Sequence, residues 1–297
     1  MATLRDIKSR IAAVSSIERI TSAMKMVSFV KSKKVQKLVE DARPYNKKIA
    51  EILKLIATSD KTIMEEHPCF SSINETVKNV VIIIIASDKG MCGSFNSNLF
   101  KKIDKYFKDE FHIKYPGAVP HLITLGNKAS DYYNKKNYHI IKKFTNVFRK
   151  VDYSIVEDVH SLIEDNFLLG RIDKVEIFYN VFINVMKQEP SHFQLLPIQF
   201  DQIYNIEGGD SIDYLFEPDK KIIFDVLINQ YLDAWVWTPI LESNAAEQTA
   251  RLLAMDKATQ NAQDLIKDLR LQYNNARQSA ITTEMLEIVG GADALSK

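Results

Sequence analysis

The sequence predicts an α/β protein with a long coiled coil: an antiparallel pair of N- and C-terminal helices, with a small sheet domain inserted between them. Three observations predict it. No Gly or Pro occurs from Thr3 to Arg43, none occurs between Pro239 and Gly290, and the stretch between these ends alternates strand-like and helix-like segments. The corresponding division is an N-terminal coiled-coil helix over 1–58, an α/β domain over 75–208 and a C-terminal coiled-coil helix over 210–297.

At the N-terminus, apolar residues recur at Leu4, Ile7, Ile11, Val14, Ile17, Ile20, Met24, Val27 and Val30 in steps of three and four, the period of one helix face. Thr3 with Asp6 three places on forms a plausible cap, and Pro44 marks the first position where the helix can break or kink.

The other end is more regular. Leu241, Ala245, Gln248, Leu252, Met255, Thr259, Ala262, Ile266, Leu269, Tyr273, Ala276 and Ala280 alternate steps of four and three, a heptad seam. Such a helix runs about 75 Å at 1.5 Å per residue, longer than a domain of this size is wide, so it must protrude or pair. A second stripe, Ala246, Ala250, Ala254, Ala258 and Ala262, lets another backbone come close, while Gln248 and Thr259 weaken apolar pairing and fix register. An ordinary all-α bundle is the competing reading of the two ends, and the middle of the chain argues against it.

There, Val80 to Ala86 is a β-branched strand followed by the loop SDKGMCG and a helix over Asn96 to Lys108. His121 to Leu125, Tyr138 to Phe144, Lys174 to Val185 and His192 to Ile198 read as further strands, with a helix over Tyr153 to Leu169. This alternation implies a Rossmann-like sheet with crossovers. Gly208 and Gly209 close the region; Pro218 and Asp219 then start a helix that continues past Pro239 with a kink.

With 39 basic and 38 acidic residues, the chain has no overall field that would steer it to nucleic acid or an acidic surface. The distribution is uneven. Residues 1–48 carry twelve Lys or Arg against four acids, whereas the tail from Ile240 has six basic and eight acidic residues, so the N-terminal arm has positive charge to spare for an acidic partner. The longest apolar run is far short of the roughly 20 residues that span a bilayer, and no signal-peptide pattern precedes Leu4. Cys69 and Cys92 suggest neither a disulfide framework nor a zinc knuckle, and fit a reducing compartment.

Catalytic chemistry finds little support. The loop SDKGMCGSFN stands where an α/β protein cradles phosphate, yet it lacks both GK followed by Ser or Thr and G-x-G-x-x-G, so a tight structural turn is favoured and Lys89 is a surface charge. His67, His112, His121, His139, His160 and His192 are scattered without metal-ligand spacing, and no metal or cofactor is expected. No G-x-S-x-G elbow or paired carboxylates are recognisable. Tyr231, Trp235 and Trp237 are read as packing the C-terminal helix on the sheet domain, and Tyr214, Leu215 and Phe216 as core or docking surface.

Three blocks, ATLRDIKSRI…ITSAMKMVSFVK, SDKGMCGS and the tail from ESNAAEQTARLLAM to EIVGGADAL, resemble the gamma subunits of rotary ATP synthases, with LLPIQ and DYLFEPD fitting less distinctively. The resemblance implies a non-catalytic central stalk. Its coiled coil would stand inside a ring of alternating alpha and beta subunits, its foot on the c-ring beside delta/epsilon-type subunits, and it would carry torque to catalytic sites on beta.

Residue by residue, Arg277 and Gln278 in NNARQSAIT resemble the pair that engages a catch loop of beta, and Glu247 and Arg251 in EQTARLLAM a second contact zone. Met24 and Lys25 in SAMKMV resemble the segment facing an acidic lever loop of beta, Lys89 and Cys92 lie in a loop near it, and Tyr214 resembles a foot residue. The regulatory cysteine pair of chloroplast-type members is not matched. The resemblance therefore implies a peripheral place on the matrix side of the mitochondrial inner membrane, or on the cytoplasmic face of a bacterial plasma membrane. Two rival readings, a nucleotide-dependent enzyme built on the sheet domain and a basic arm for nucleic acid, rest only on the loop after the first strand and on the local charge excess.

Overall fold

The computed structural model describes residues 3–71, 74, 76–149, 152–199 and 216–295. Glu207 to Asp210, Tyr214 and Leu215 lie outside the described residues. Helix α1 (Leu4–Ser59) is followed by a short α2 (Lys61–Glu66), then by β1 (Asn79–Ile85), α3 (Phe95–Lys105), a π-helical turn over Tyr106–Phe111 and a one-turn α4 (His112–Lys114). Next come β2 (Val119–Leu125), α5 (Asn127–Lys135), β3 (Ile140–Phe144), α6 (Ser154–Leu168), β4 (Lys174–Phe182), β5 (Gln188–Leu196) and α7 (Lys220–Leu295).

Two compact units divide the chain: a terminal unit of Met1–Phe29 with Arg251–Lys297, and a larger unit of Val30–Ala250. Within the larger unit the sheet order is β3-β2-β1-β4-β5; β1 pairs in parallel with β2 and β4, β2 in parallel with β3, and β5 is antiparallel to β4. Strand β1 is the apolar run NVVIIII because both its faces are covered. Val81, Ile83 and Ile85 pack with Leu53 and Ile56 of α1, with Val159 and Ile163 of α6 and with Phe224, Ile228 and Val236 of α7. Val80, Ile82 and Ile84 face Leu99 and Ile103 of α3 and the aromatic group Tyr106, Phe107, Phe111 and Tyr133.

Pro44 does not end the first helix, and α7 likewise runs through Pro239. At Pro44 the lost N–H would have bonded Glu40, and both residues are exposed, so water can take the freed carbonyl. Gly126, after β2, is required by geometry. Its φ is +101°, and a Cβ there would stand 2.0 Å from the Ala86 carbonyl oxygen.

The aromatic packing carries a pH consequence. Burial first, then the Glu176 carboxylate, hold the Tyr106 and Tyr115 phenols well above their ordinary value near 10; burial does the same to Tyr133 and Tyr231. A raised folded-state value means that this stability is complete below pH ~10 and is lost as pH rises beyond it, because the unfolded chain sheds these protons first. Each phenol steepens the loss by up to about 1.4 kcal/mol per pH unit. Urea midpoints measured from pH 8 to 11 should therefore hold level and then fall steeply above 10; a flat profile to pH 11 is the contrary result.

Candidate functional site

In the terminal unit the two helices are antiparallel. Lys25 Nζ meets Asp256 Oδ1 at 2.5 Å, Thr259 Oγ1 donates to Thr21 Oγ1 at 2.9 Å, and Gln263 Nε2 donates to Glu18 Oε1 at 3.1 Å, so numbers fall along α1 as they rise along α7. Buried positions on α1 are Ile7, Thr21 and Ser28, and on α7 Met255, Thr259, Ala262 and Leu269. The heptad seam of α7 is therefore the packing face. On α1 the apolar stripe divides: Ile7 is buried and Ile11, Val14 and Met24 are half-buried, whereas Ile17 is 53%, Ile20 59% and Val27 56% exposed and the small polar Thr21 and Ser28 share the seam. The period made the helix legible but not its inward face, because much of its apolar surface is turned away from its own chain.

This register sets Leu4, where α1 begins, opposite Ala276. From Arg277 onward α7 runs past the start of its partner, and every residue from Arg277 to Gly290 is exposed. Arg277 and Gln278 thus sit at the point where the pair becomes a single helix. Beyond them Ile281, Met285, Leu286, Ile288 and Val289 are all exposed apolar side chains.

Met24 is half-buried and Lys25 is engaged with Asp256 in the same unit, where Arg251 is buried. In the larger unit the helices are again antiparallel: Ser32 and Thr249 share a 2.9 Å hydroxyl contact, and Val35 and Val39 pack on Leu241 and Ala245. Glu247 is buried and accepts from Gln248 Nε2 at 3.2 Å. Lys31, Lys33, Lys34 and Lys37 are exposed, which leaves the positive surplus of the arm on the surface.

The loop after β1 is held by its own residues. Ser87 N donates to Asn96 Oδ1 at 3.1 Å and Asn96 Nδ2 to Ser87 Oγ at 2.6 Å, while Met91 and Gly93 have positive φ. The Asp88 carboxylate accepts from Phe148 N at 2.9 Å and Asn127 N at 3.4 Å. Backbone amides that could cradle a phosphate at this end of the sheet thus already hold a carboxylate. Cys92 is buried and packs with Phe95 on Ala246 and beside Ala250, which accounts for the first part of the alanine stripe: small side chains admit the loop. Burial pushes the thiol of the other cysteine, Cys69, up to about 12. Lys89 is exposed. Tyr214, the expected foot residue, lies outside the described residues.

A family model described as ATP synthase matches residues 3–295. Among curated proteins, the ATP synthase gamma chain of Chlorobium phaeobacteroides strain BS1 is 39% identical over 295 residues, covering 99% of both chains. That of Prosthecochloris aestuarii is 40% identical, again over 99% of each. The chain belongs to the ATP synthase gamma chain family. Its fold is shared with solved structures: a chain from the Euglena gracilis mitochondrial ATP synthase (OSCP, F1 and c-ring) aligns with a TM-score of 0.66 at 18% identity, covering 98% of this chain and 94% of that one. A chain from the Tetrahymena thermophila mitochondrial ATP synthase, central stalk and c-ring, gives 0.57 at 22% identity, over 80% of this chain and 99% of that one.

For this member of the gamma-chain family, sequence reasoning named Arg277 and Gln278 but missed the exposed apolar side chains beyond them. The signal was present: Ile281, Met285 and Ile288 keep a helical spacing after the seam ends. Ile17, Ile20 and Val27 share the period that marks the helix, but nothing in that period tells which of its apolar residues face away from the partner helix.

Proposed function

We propose that this chain is the non-catalytic rotor, or central stalk, of a bacterial ATP synthase, transmitting torque between a proton-driven c-ring and catalytic beta subunits. One observation supports it most: a helix that outruns its partner and displays apolar side chains from Ile281 to Val289 is built to be enclosed by other chains. A surrounding ring of alpha and beta subunits would cover that tip and the outward stripe of α1. Because burying apolar surface contributes about 25 cal/mol per Å², a broad fixed patch would hold one partner too tightly for serial contacts; a narrow tip and scattered charges suit them better.

Within this reading Arg277 and Gln278 meet beta at the end of the paired segment, and Met24, Lys25 and Lys89 face its acidic loops. Glu247, Arg251 and Cys92 are enclosed by the chain itself and act by fixing the backbone on which those contacts sit. Tyr214 is assigned to the foot, near the c-ring and delta/epsilon-type subunits. Among the described residues no helix is long and apolar enough to cross a membrane, in keeping with a peripheral place on it. The curated relatives at 37–40% identity come from Chlorobium and its allies, which favours the cytoplasmic face of a bacterial plasma membrane over the mitochondrial matrix.

Co-expression with the alpha and beta subunits of the same organism tests the reading. The expected product is one complex that hydrolyses ATP, with a bead fixed to Lys108→Cys, an exposed position in the turn after α3, turning against an immobilised beta. A chain that remains apart from alpha and beta, or a complex equally active without it, would overturn the assignment.

A further inference from the structure

Sequence spacing scatters the histidines, yet parallel pairing in the larger unit brings two of them together. His121 stands on β2, and His139 lies just ahead of β3, whose edge position leaves that ring exposed. Their Nδ1 atoms are 3.0 Å apart, with the rings nearly perpendicular at 82°. The other nitrogen of His121, Nε2, lies 3.2 Å from Asn79 Oδ1 on β1.

That third contact fixes the chemistry. An amide oxygen only accepts, so the His121 proton resides on Nε2 and the lone pair of Nδ1 faces His139. A ring held through its far N–H by a carbonyl oxygen is the arrangement that orients metal-ligating histidines. Two nitrogens bound at about 2.1 Å stand about 3.0 Å apart at a 90° angle on the ion, the separation seen here, and about 3.4 Å apart at the tetrahedral angle of zinc, a few tenths of an ångström wider. In the metal-free pair His139 Nδ1–H donates to His121 Nδ1. Binding requires that His139 carry its proton on Nε2 instead and that the rings turn until both Nδ1 lone pairs meet on the ion, which the exposure of His139 permits, and no co-reactant is needed.

We infer that His121 and His139 form a two-histidine site for a divalent transition cation of the zinc, nickel or copper class, joining β2 to the edge strand β3. Imidazole ligands select such ions over magnesium or calcium. Among the described residues no group of three or more His, Cys, Asp or Glu side chains is placed to hold a metal ion, so the remaining coordination positions at this pair go to water. A cleft of about 250 Å³ opens beside the pair, lined by Asn79, Ile123, Ile141 and Arg171, and has room for that water. Two protein ligands place the affinity in the micromolar range rather than at the level of a closed structural site.

The test is calorimetric titration of the full-length, tag-free chain with zinc and with nickel chloride. One equivalent is expected to bind with a micromolar dissociation constant. His139→Ala, a change at an exposed ring that should leave the melting profile unchanged, should weaken binding about tenfold or more, and Asn79→Leu should do likewise by freeing the His121 tautomer. Asn79→Asp, whose carboxylate can hold the same proton, should bind as the parent does or more tightly. His112→Ala serves as a remote control and should change nothing. Parental affinity in His139→Ala, or no binding below millimolar metal, overturns the site; should His121→Ala melt early, the His139 variant alone decides.

Discussion

Removal of residues 277–297 should leave the melting midpoint of the isolated chain within about 1 °C of the parent, because exposed surface substitutions of this kind lie within about 0.5 kcal/mol. In the alpha–beta complex the same truncation should cut ATP-driven turnover by about tenfold, a loss of about 1.4 kcal/mol of transition-state stabilisation. The two halves of that expectation come from one geometric fact. Seam positions are buried or half-buried as far as Ala276, and none of the residues from Arg277 to Gly290 is. What the chain itself does not cover cannot contribute much to its own fold, and any penalty must come from the partners. The point variants Arg277→Ala and Gln278→Ala should reproduce part of the loss without impairing assembly. An early melt of the truncated chain, or an unchanged turnover, would place the function of this segment elsewhere.

Glu176→Ala should destabilise the larger unit by about 3–5 kcal/mol, the usual effect of taking one member from a buried, hydrogen-bonded charge group. The side chain of Glu176 is 1% exposed on β4. Its Oε2 accepts from Tyr106 Oη at 2.6 Å; Oε1 accepts from Tyr115 Oη at 2.8 Å and from Lys114 Nζ at 2.6 Å. Alanine would strand two phenol donors in the aromatic layer, while Lys114, nearly half-exposed, could turn to water. Glu176→Gln keeps one acceptor and should recover part of the loss. Denaturation followed by near-ultraviolet dichroism reads both variants. A midpoint for Glu176→Ala equal to the parent's would mean that water replaces the carboxylate, and that this layer is looser than its packing indicates.

The two long helices were legible because Gly and Pro are absent over long stretches of each, Thr3 to Arg43 and Ile240 to Val289, and the sheet because β1 carries six consecutive β-branched residues, Val80 to Ile85. Elements that escaped were those whose buried face is small. Helix α5 buries only Ala129, Ser130 and Tyr133 among polar neighbours, and β5 begins at Gln188 rather than His192 because its first residues are half-exposed and polar. On α1 the helix was legible and its inward face was not: Thr21 and Ser28 point inward and Ile17, Ile20 and Val27 outward, since periodicity reports a helical face but not which body covers it. The meeting of His121 with His139 was invisible for a related reason, because strand register, not spacing along the chain, makes them neighbours.

A seam in which Thr21, Ser28, Thr259 and Ala262 separate the few large apolar side chains, Ile7, Met255 and Leu269, has a thermodynamic corollary. Little apolar area is buried per turn, so the terminal helix pair holds modest free energy of its own, and its amide hydrogens should exchange among the fastest in the isolated chain. Whatever encloses the pair binds the ordered form and not the frayed one, and adds protection by mass action. The rigidity of the shaft is then a property conferred by its socket, and it rises or falls with the concentration of assembled partners.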